Sequence, residues 1–179
     1  MSIHEIVLPV TKPETEWILG RAVRKVSPFR THARLQCEFG ITLAAWAESR
    51  GEVGLQWRFR IAPPGEIRRP LAPDVSYVSN ERLRDLEGHD LEAPPFAPDV
   101  AVEILSPGWR RSHVEHKIGV CLAGGSALVI VVDPSAREAR LYDASGERLV
   151  RANEEIEHPA LPGFSLGLPA LFAALERPR

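Results

Sequence analysis

The chain has 179 residues and a mass of 19.8 kDa, with 44% apolar and 26% charged residues, an ordinary globular composition. That excludes a disordered or collagen-like polymer, and no run approaches the ~20 apolar residues of a membrane-spanning helix. With 22 basic against 24 acidic residues, net −2, a dedicated architectural nucleic-acid binder is disfavoured, although an enzyme meeting nucleic acid through a local basic patch is not.

The opening MSIHEIVLPVTKPETE has no basic segment followed by an apolar stretch, so it does not read as a secretory signal. Cys37 and Cys121 show no CxxC spacing, and the expectation is a single domain over residues 1–179 in a reducing cytoplasm. Arginine outnumbers lysine 19 to 3, while Asn and Gln number two each. Scarcity of thermolabile side chains fits a heat-adapted source, and a GC-rich genome would give much of the same bias.

In chain order, Glu16–Leu19 and Arg21–Val26 read as two short extended runs around Gly20, with Ser27-Pro28 as the stop. Leu35, Phe39, Leu43 and Trp46 predict an amphipathic helix from Arg30 to Arg50, with His32 on the same side. VGLQWRFRI alternates strictly from Val53 to Ile61 and predicts one half-buried strand with Arg58 and Arg60 on its polar face. A second strand is expected at Asp74–Val78, followed by Ser79 capping a short helix. Glu87–Pro98 is polar and proline-bearing and reads as a surface loop. Val100–Leu105, a helix over Arg110–Ala123 closed by Gly124, and the buried strand Ala127–Val132 form a strand–helix–strand step, which favours a parallel pair. Strands near Ala139–Tyr142 and Arg148–Val150 and a terminal helix near Pro169–Glu176 complete an α/β chain, α+β at its periphery, with helices on a mixed central sheet.

Glu103 is the anomaly. A carboxylate inside an apolar strand must be ion-paired, protonated, metal-bound or at a water-facing edge. Asp74 opens a strand directly after Pro73, and two carboxylates on neighbouring strands facing one way would make an oxygen-rich site for Mg²⁺. Lys117, one of three lysines, sits on the flank of the following helix with Arg110 and His113, where its ammonium can reach back over the end of the sheet.

Pro73-Asp74-Val75, then PFAPDVAVEILSPGWRRSHVEHK and GGSALVIVVDP, resembles the Uma2 (DUF820) family, which is similar to restriction endonucleases of the PD-(D/E)xK superfamily. Glu16, Gly20, Ser27-Pro28 and His32 match the family's opening pattern, and the resemblance covers roughly Glu16 to Tyr142. It implies a restriction-endonuclease-like fold, often homodimeric, and metal-dependent hydrolysis of nucleic-acid phosphodiesters, with DNA ahead of RNA. Asp74 matches the aspartate of the motif and Glu103 its second acid. Leu105 stands where the lysine would, so the resemblance moves the lysine to Lys117 on the helix. On this reading Asp74, Glu103 and the Ile104 backbone carbonyl hold Mg²⁺ (or Mn²⁺), and Lys117 assists the attacking water. Glu16 and His32 are secondary candidates, and Arg58, Arg60, Arg68, Arg69, Arg110 and Arg111 are candidate nucleic-acid contacts. A catalytically silent nucleic-acid-binding or assembly module on the same fold is the alternative. A two-carboxylate glycosidase, which would give Lys117 no task, is a weaker third.

Overall fold

A computed structural model describes residues 4–26 and 28–176; Ser27 of the expected Ser27-Pro28 stop lies outside them. The two short runs form an antiparallel hairpin, β1 (Thr15–Ile18) and β2 (Arg21–Arg24). Leu19 and Gly20 between them both take positive φ, 49° and 77°, the turn whose twist suits paired strands. The long helix follows as α1 (Arg30–Ala47), burying Leu35, Phe39 and Leu43 together with His32 and Gln36.

The expectation of one strand over Val53–Ile61 fails. Gln56 takes φ 51°, outside any extended conformation, and the run divides into β3 (Gly51–Leu55) and β4 (Phe59–Ile61), which join different sheets. Alternation marks an appetite for burial but not which sheet satisfies it. Phe59 and Ile61 are fully buried, whereas Leu55 is 54% exposed. The partner of β4 is β5 (Arg69–Leu71), a strand the pattern does not announce because Pro70 interrupts it.

The chain continues through β6 (Val75–Ser79), α2 (Asn80–Leu83), α3 (Gly88–Glu92), β7 (Val100–Ile104), α4 (Arg111–Ala123), β8 (Leu128–Asp133), β9 (Glu138–Asp143) and β10 (Gly146–Val150). It ends with β11 (Glu155–Ile156), β12 (Leu166–Gly167) and α5 (Leu168–Ala173). The stretch read as a loop therefore carries a short helix, α3. The central sheet has the order β10-β9-β8-β7-β6-β3. Only β7 and β8 run parallel, joined through α4, so the sheet is mixed as expected.

Side-chain alternation gives this sheet two buried faces. Val100, Val102 and Ile104 of β7 and Leu128, Ile130 and Val132 of β8 pack under α1, Phe164 and Phe172. Ala101, Val129 and Val131 face the other way, against Ile118 and Cys121 of α4, Ile18 of β1, and Phe59 and Ile61. Each large apolar side chain so buried contributes about 1.5–3 kcal/mol before entropy is counted. By the same parity Glu103 belongs to the face covered by α4 and the hairpin. Because Val75 lies opposite Val102 in an antiparallel register, one step further sets Asp74 beside Glu103. Among the described residues, no helix is long and apolar enough to cross a membrane.

Candidate active site

Asp74 is only 2% exposed, and a carboxylate at that depth is tolerated only if donors surround it. Lys25 Nζ donates to Oδ1 at 2.7 Å; His32 Nε2, at 3.0 Å, and the Ile104 N–H, at 2.8 Å, meet Oδ2. The backbone carbonyl of Asp74 is held as well, by Gln36 Nε2 at 2.7 Å and the Gln56 N–H at 3.1 Å. The left-handed turn at Gln56 thus carries its amide to the site. Burial alone would raise the Asp74 pKa, but the Lys25 ammonium, the His32 hydrogen bond and charge, and Lys117 beyond them outweigh it. They hold the carboxyl well below the usual carboxylate range.

Glu103 faces a different balance. Its Oε1 lies 2.6 Å from Lys117 Nζ, a close ion pair, and meets no other donor among the described residues. The aligned bond of Lys117 goes to Glu16 Oε2 at 3.1 Å, with Oε1 at 2.9 Å. Burial, helped by Asp74 and Glu16 and opposed by Lys117 and Lys25, pushes Glu103 up to about 7. Burial would also discharge Lys117, but Glu103, Glu16 and Asp74 prevail and keep its ammonium protonated beyond the ordinary lysine range.

The two halves are joined through one residue of main chain. Ala72 N–H donates to Glu16 Oε1 at 2.8 Å, and the Ala72 carbonyl accepts from Lys25 Nζ at 2.7 Å. The hairpin therefore supplies an acid from β1 and a lysine from just past β2, α1 supplies His32 and Gln36, and α4 supplies Lys117. Glu16, Lys25, His32 and Lys117, with Asp74 and Glu103, line a cavity of about 540 Å³; Gln36 lies behind it on the Asp74 carbonyl. Arg21–Val26 line one wall; Leu105, Trp109, Arg110, His113 and Val114 line the other.

The sequence reading missed Lys25. The signal was present, since lysine is as rare at position 25 as at 117 in this arginine-rich chain, but a short hairpin gives no hint of what it covers. Of two Pro-Asp pairs, Asp99 stays apart from the cluster: its carboxylate accepts the Ser79 N–H at 2.7 Å and pairs with Arg82 at 2.9 Å. His32, a secondary candidate, spends Nε2 on Asp74, while its buried Nδ1 has no partner among the described residues.

The expected arginine contacts scatter. Arg110 lines the cavity, and Arg111 points along the exposed side of α4, paired with Glu115 at 2.7 Å. Arg58, Arg60, Arg68 and Arg69 do not line it. Arg58 is bound by Glu14 and the Leu8 and Pro9 carbonyls, Arg60 by Glu5, Asp90 and the Ala93 carbonyl. Arg68 lies 3.9 Å from Glu5 and Arg69 pairs with Glu66. The break at Gln56 is the physical reason for the first two: it turns the strand's polar face away from the sheet and against the N-terminal segment.

Among the described residues, no three His, Cys, Asp or Glu side chains gather as a ready-made metal cage. Mg²⁺ does not need one, because it is usually held by one or two carboxylates with water and substrate phosphate oxygens. Asp74 and Glu103 side by side, with a buried Glu103 oxygen met only by the Lys117 ammonium, fit that hard oxygen donor set. Ile104 lines the same cavity.

Fold and site together define an α/β protein whose mixed sheet ends in a buried acid–lysine centre beneath a hairpin. The chain belongs to the Uma2 family, described as "Putative restriction endonuclease", whose model matches residues 7–170. It is similar to a crystal structure of "a putative nuclease belonging to DUF820" from Anabaena variabilis ATCC 29413, at a TM-score of 0.83 and 24% identity over 94% of each chain. At that identity the likeness is one of fold, and it agrees with the restriction-endonuclease-like architecture expected from the sequence. No curated protein matches the chain.

Proposed function

We propose that the chain is a metal-dependent nuclease that hydrolyses phosphodiester bonds in the cavity between the hairpin and α4. The observation that carries this reading is the convergence of Asp74, Glu103 and Lys117, distant in sequence, in one buried cluster of two ion-pair groups joined through the Ala72 main chain. Asp74 and Glu103, with the Ile104 carbonyl, would hold the Mg²⁺ or Mn²⁺. When bound, that ion supplies Lewis-acid neutralisation of the phosphate and a more acidic water. Lys117, fixed by Glu16 and Glu103, directs an ammonium proton toward the attacking oxygen or the charge that develops on phosphorus. Water forms the new P–O bond and releases a proton to solvent as the bond to the leaving sugar oxygen breaks, and that oxygen takes up a proton from solvent. Lys25, His32 and the Ile104 N–H keep Asp74 ionised and aimed.

The test is cleavage of DNA and RNA substrates in Mn²⁺ by the wild type and by Asp74→Asn, Glu103→Gln and Lys117→Met. Each variant should lose about 100-fold or more in rate while retaining its far-UV circular dichroism. Full activity in Lys117→Met would overturn the assignment of that lysine.

One observation favours the silent-module alternative: Asp74 already has three donors without any ion. Calorimetric titration with Mn²⁺ separates the two readings. Binding that disappears in Glu103→Gln supports the nuclease, whereas no binding at millimolar Mn²⁺ supports the module.

A further inference from the structure

Trp109 is unlike the other tryptophans of the chain. Trp46 and Trp57 donate their indole N–H to the Pro162 and Glu92 carbonyls, and both, like Trp17, are half-buried. Trp109 is 45% exposed, and its side chain makes no hydrogen bond, ring or cation–π contact among the described residues. It sits in the turn after β7, where Gly108 takes φ 80° and the Trp109 N–H closes onto the Ser106 carbonyl at 3.0 Å. That turn sets the indole on the wall between the active-site cavity and an adjoining groove of about 630 Å³ along α4.

Two arginines complete the setting. Arg21 on the hairpin wall and Arg110 on the opposite wall have no ion-pair partner among the described residues, whereas Arg58, Arg60, Arg69, Arg111 and Arg140 each hold a carboxylate. Burial and then the charges of Arg110 and Arg21 lower the pKa of His113, so both arginines bear on the same part of the cavity mouth. The groove beyond Trp109 carries Glu115, Asp133, Glu138 and Glu147 against Arg111 and Arg140, an excess of negative charge that turns phosphates back. Of the two hollows that meet at Trp109, the Arg21–Arg110 side is therefore the one that favours anions.

The exposed indole limits the substrate further. In a duplex the bases are paired and stacked on one another, whereas a strand free to splay can turn a base onto an exposed aromatic ring beside the cavity. We infer that the site takes an unpaired nucleotide of a single strand, with its base stacked on Trp109 and its flanking phosphate clamped between Arg21 and Arg110. The inference rests on the nucleic-acid substrate proposed above and names its strandedness.

The experiment uses the full chain with fluorescein-labelled single-stranded DNA and RNA of one mixed sequence and a blunt hairpin duplex of matched composition. Binding is read by anisotropy in EDTA, and cleavage separately in Mn²⁺. Single strands should bind at least about tenfold tighter than the duplex and be cut first. Trp109→Ala should weaken single-strand binding about tenfold to a hundredfold, the size of one base–aromatic stack, with no change in thermal midpoint. Arg21→Ala and Arg110→Ala should each lower the slope of log K against log salt by about 0.7, a readout that loss of a merely structural contact would not move. Similar binding of DNA and RNA assigns recognition to base and phosphate, and stronger RNA binding adds the 2′-hydroxyl. Duplex cleavage matching single-strand cleavage and indifferent to Trp109→Ala overturns the inference and leaves the nuclease standing. Trp109-dependent single-strand binding without cleavage of any substrate does the reverse. No measurable single-strand binding overturns the inference.

Discussion

Lys25 holds Asp74 in its ionised form from outside the sheet. Its ammonium is the group bonded to Asp74 Oδ1, so Lys25→Met leaves a buried carboxylate without its charge partner. Removing one member of such a pair should cost about 3–5 kcal/mol in urea unfolding. The Lys25→Met/Asp74→Asn double variant should lose less than the two single losses combined, because the stranded charge goes too. Strict additivity would show that the two groups are not coupled. The two carboxylates also set opposite pH limbs. Asp74 is depressed below its ordinary 3.8, so its contribution to stability is present above that value and is lost as pH falls through the lowered folded pKa. Glu103 is raised from 4.5 to about 7, so the folded state keeps a proton that the unfolded chain releases, and stability declines as pH rises across that window. In EDTA, the thermal midpoint should drop from about pH 4 to about pH 3 in wild type, with a shallower drop in Asp74→Asn. Between about pH 5 and about pH 7 it should drop in wild type, and Glu103→Gln should flatten that decline. At this scale the sequence named Asp74, Glu103 and Lys117 because each was locally odd. Lys25 was as rare a lysine as Lys117 but stood beside no acid in the chain, Gln36 looked ordinary where it stood, and only their reach makes them part of the site.

The hairpin, the β3–β4 break and α4 decide the site's shape. Gly51 shows how tightly β3 lies on β6: a Cβ there would meet the Val78 carbonyl oxygen at 2.1 Å and Ser79 Cα at 2.8 Å, backbone that cannot move aside. Gly119, inside α4, has nothing within 4 Å of the same position. Gly51→Ala should therefore cost about 1–3 kcal/mol by forcing the strands apart. Gly119→Ala should add about 0.5–1 kcal/mol by removing helix-interior glycine entropy. Chemical denaturation of the two variants checks both signs at once. Helix α1 and strands β7 and β8 were legible because period and burial agreed in each, and α4, which buries Lys117 beside Ile118 and Cys121, because Pro107-Gly108 and Gly124 bound it. The division of Val53–Ile61 was not, since a single residue in the left-handed region, Gln56, redirects a run that otherwise alternates without a fault.

For the molecule as a whole, a ligand that binds only the folded cluster must stabilise everything the cluster joins: hairpin, α1, α4 and the ends of β6 and β7. Mn²⁺ at about a hundred times its dissociation constant should add about 2.7 kcal/mol of stability, seen as a higher thermal midpoint. Glu103→Gln should remove most of that gain, and an unchanged midpoint in wild type would contradict the proposed metal site. Composition and periodicity alone determined the class of fold, a mixed sheet with a parallel strand–helix–strand step, because burial of alternate or every-fourth side chains is a local property of the chain. Local oddity also singled out the two acids and the helix lysine. The tertiary structure decided what no local pattern contains: that the β6–β7 register sets Asp74 beside Glu103, that the hairpin delivers Lys25 onto Asp74 and Glu16 onto Lys117, and that Arg58, Arg60, Arg68 and Arg69 bind carboxylates and carbonyls of their own chain. Such pairings depend on which distant segments the packed sheet brings within a few ångströms, and charge complementarity, having no period, leaves no trace in the order of residues.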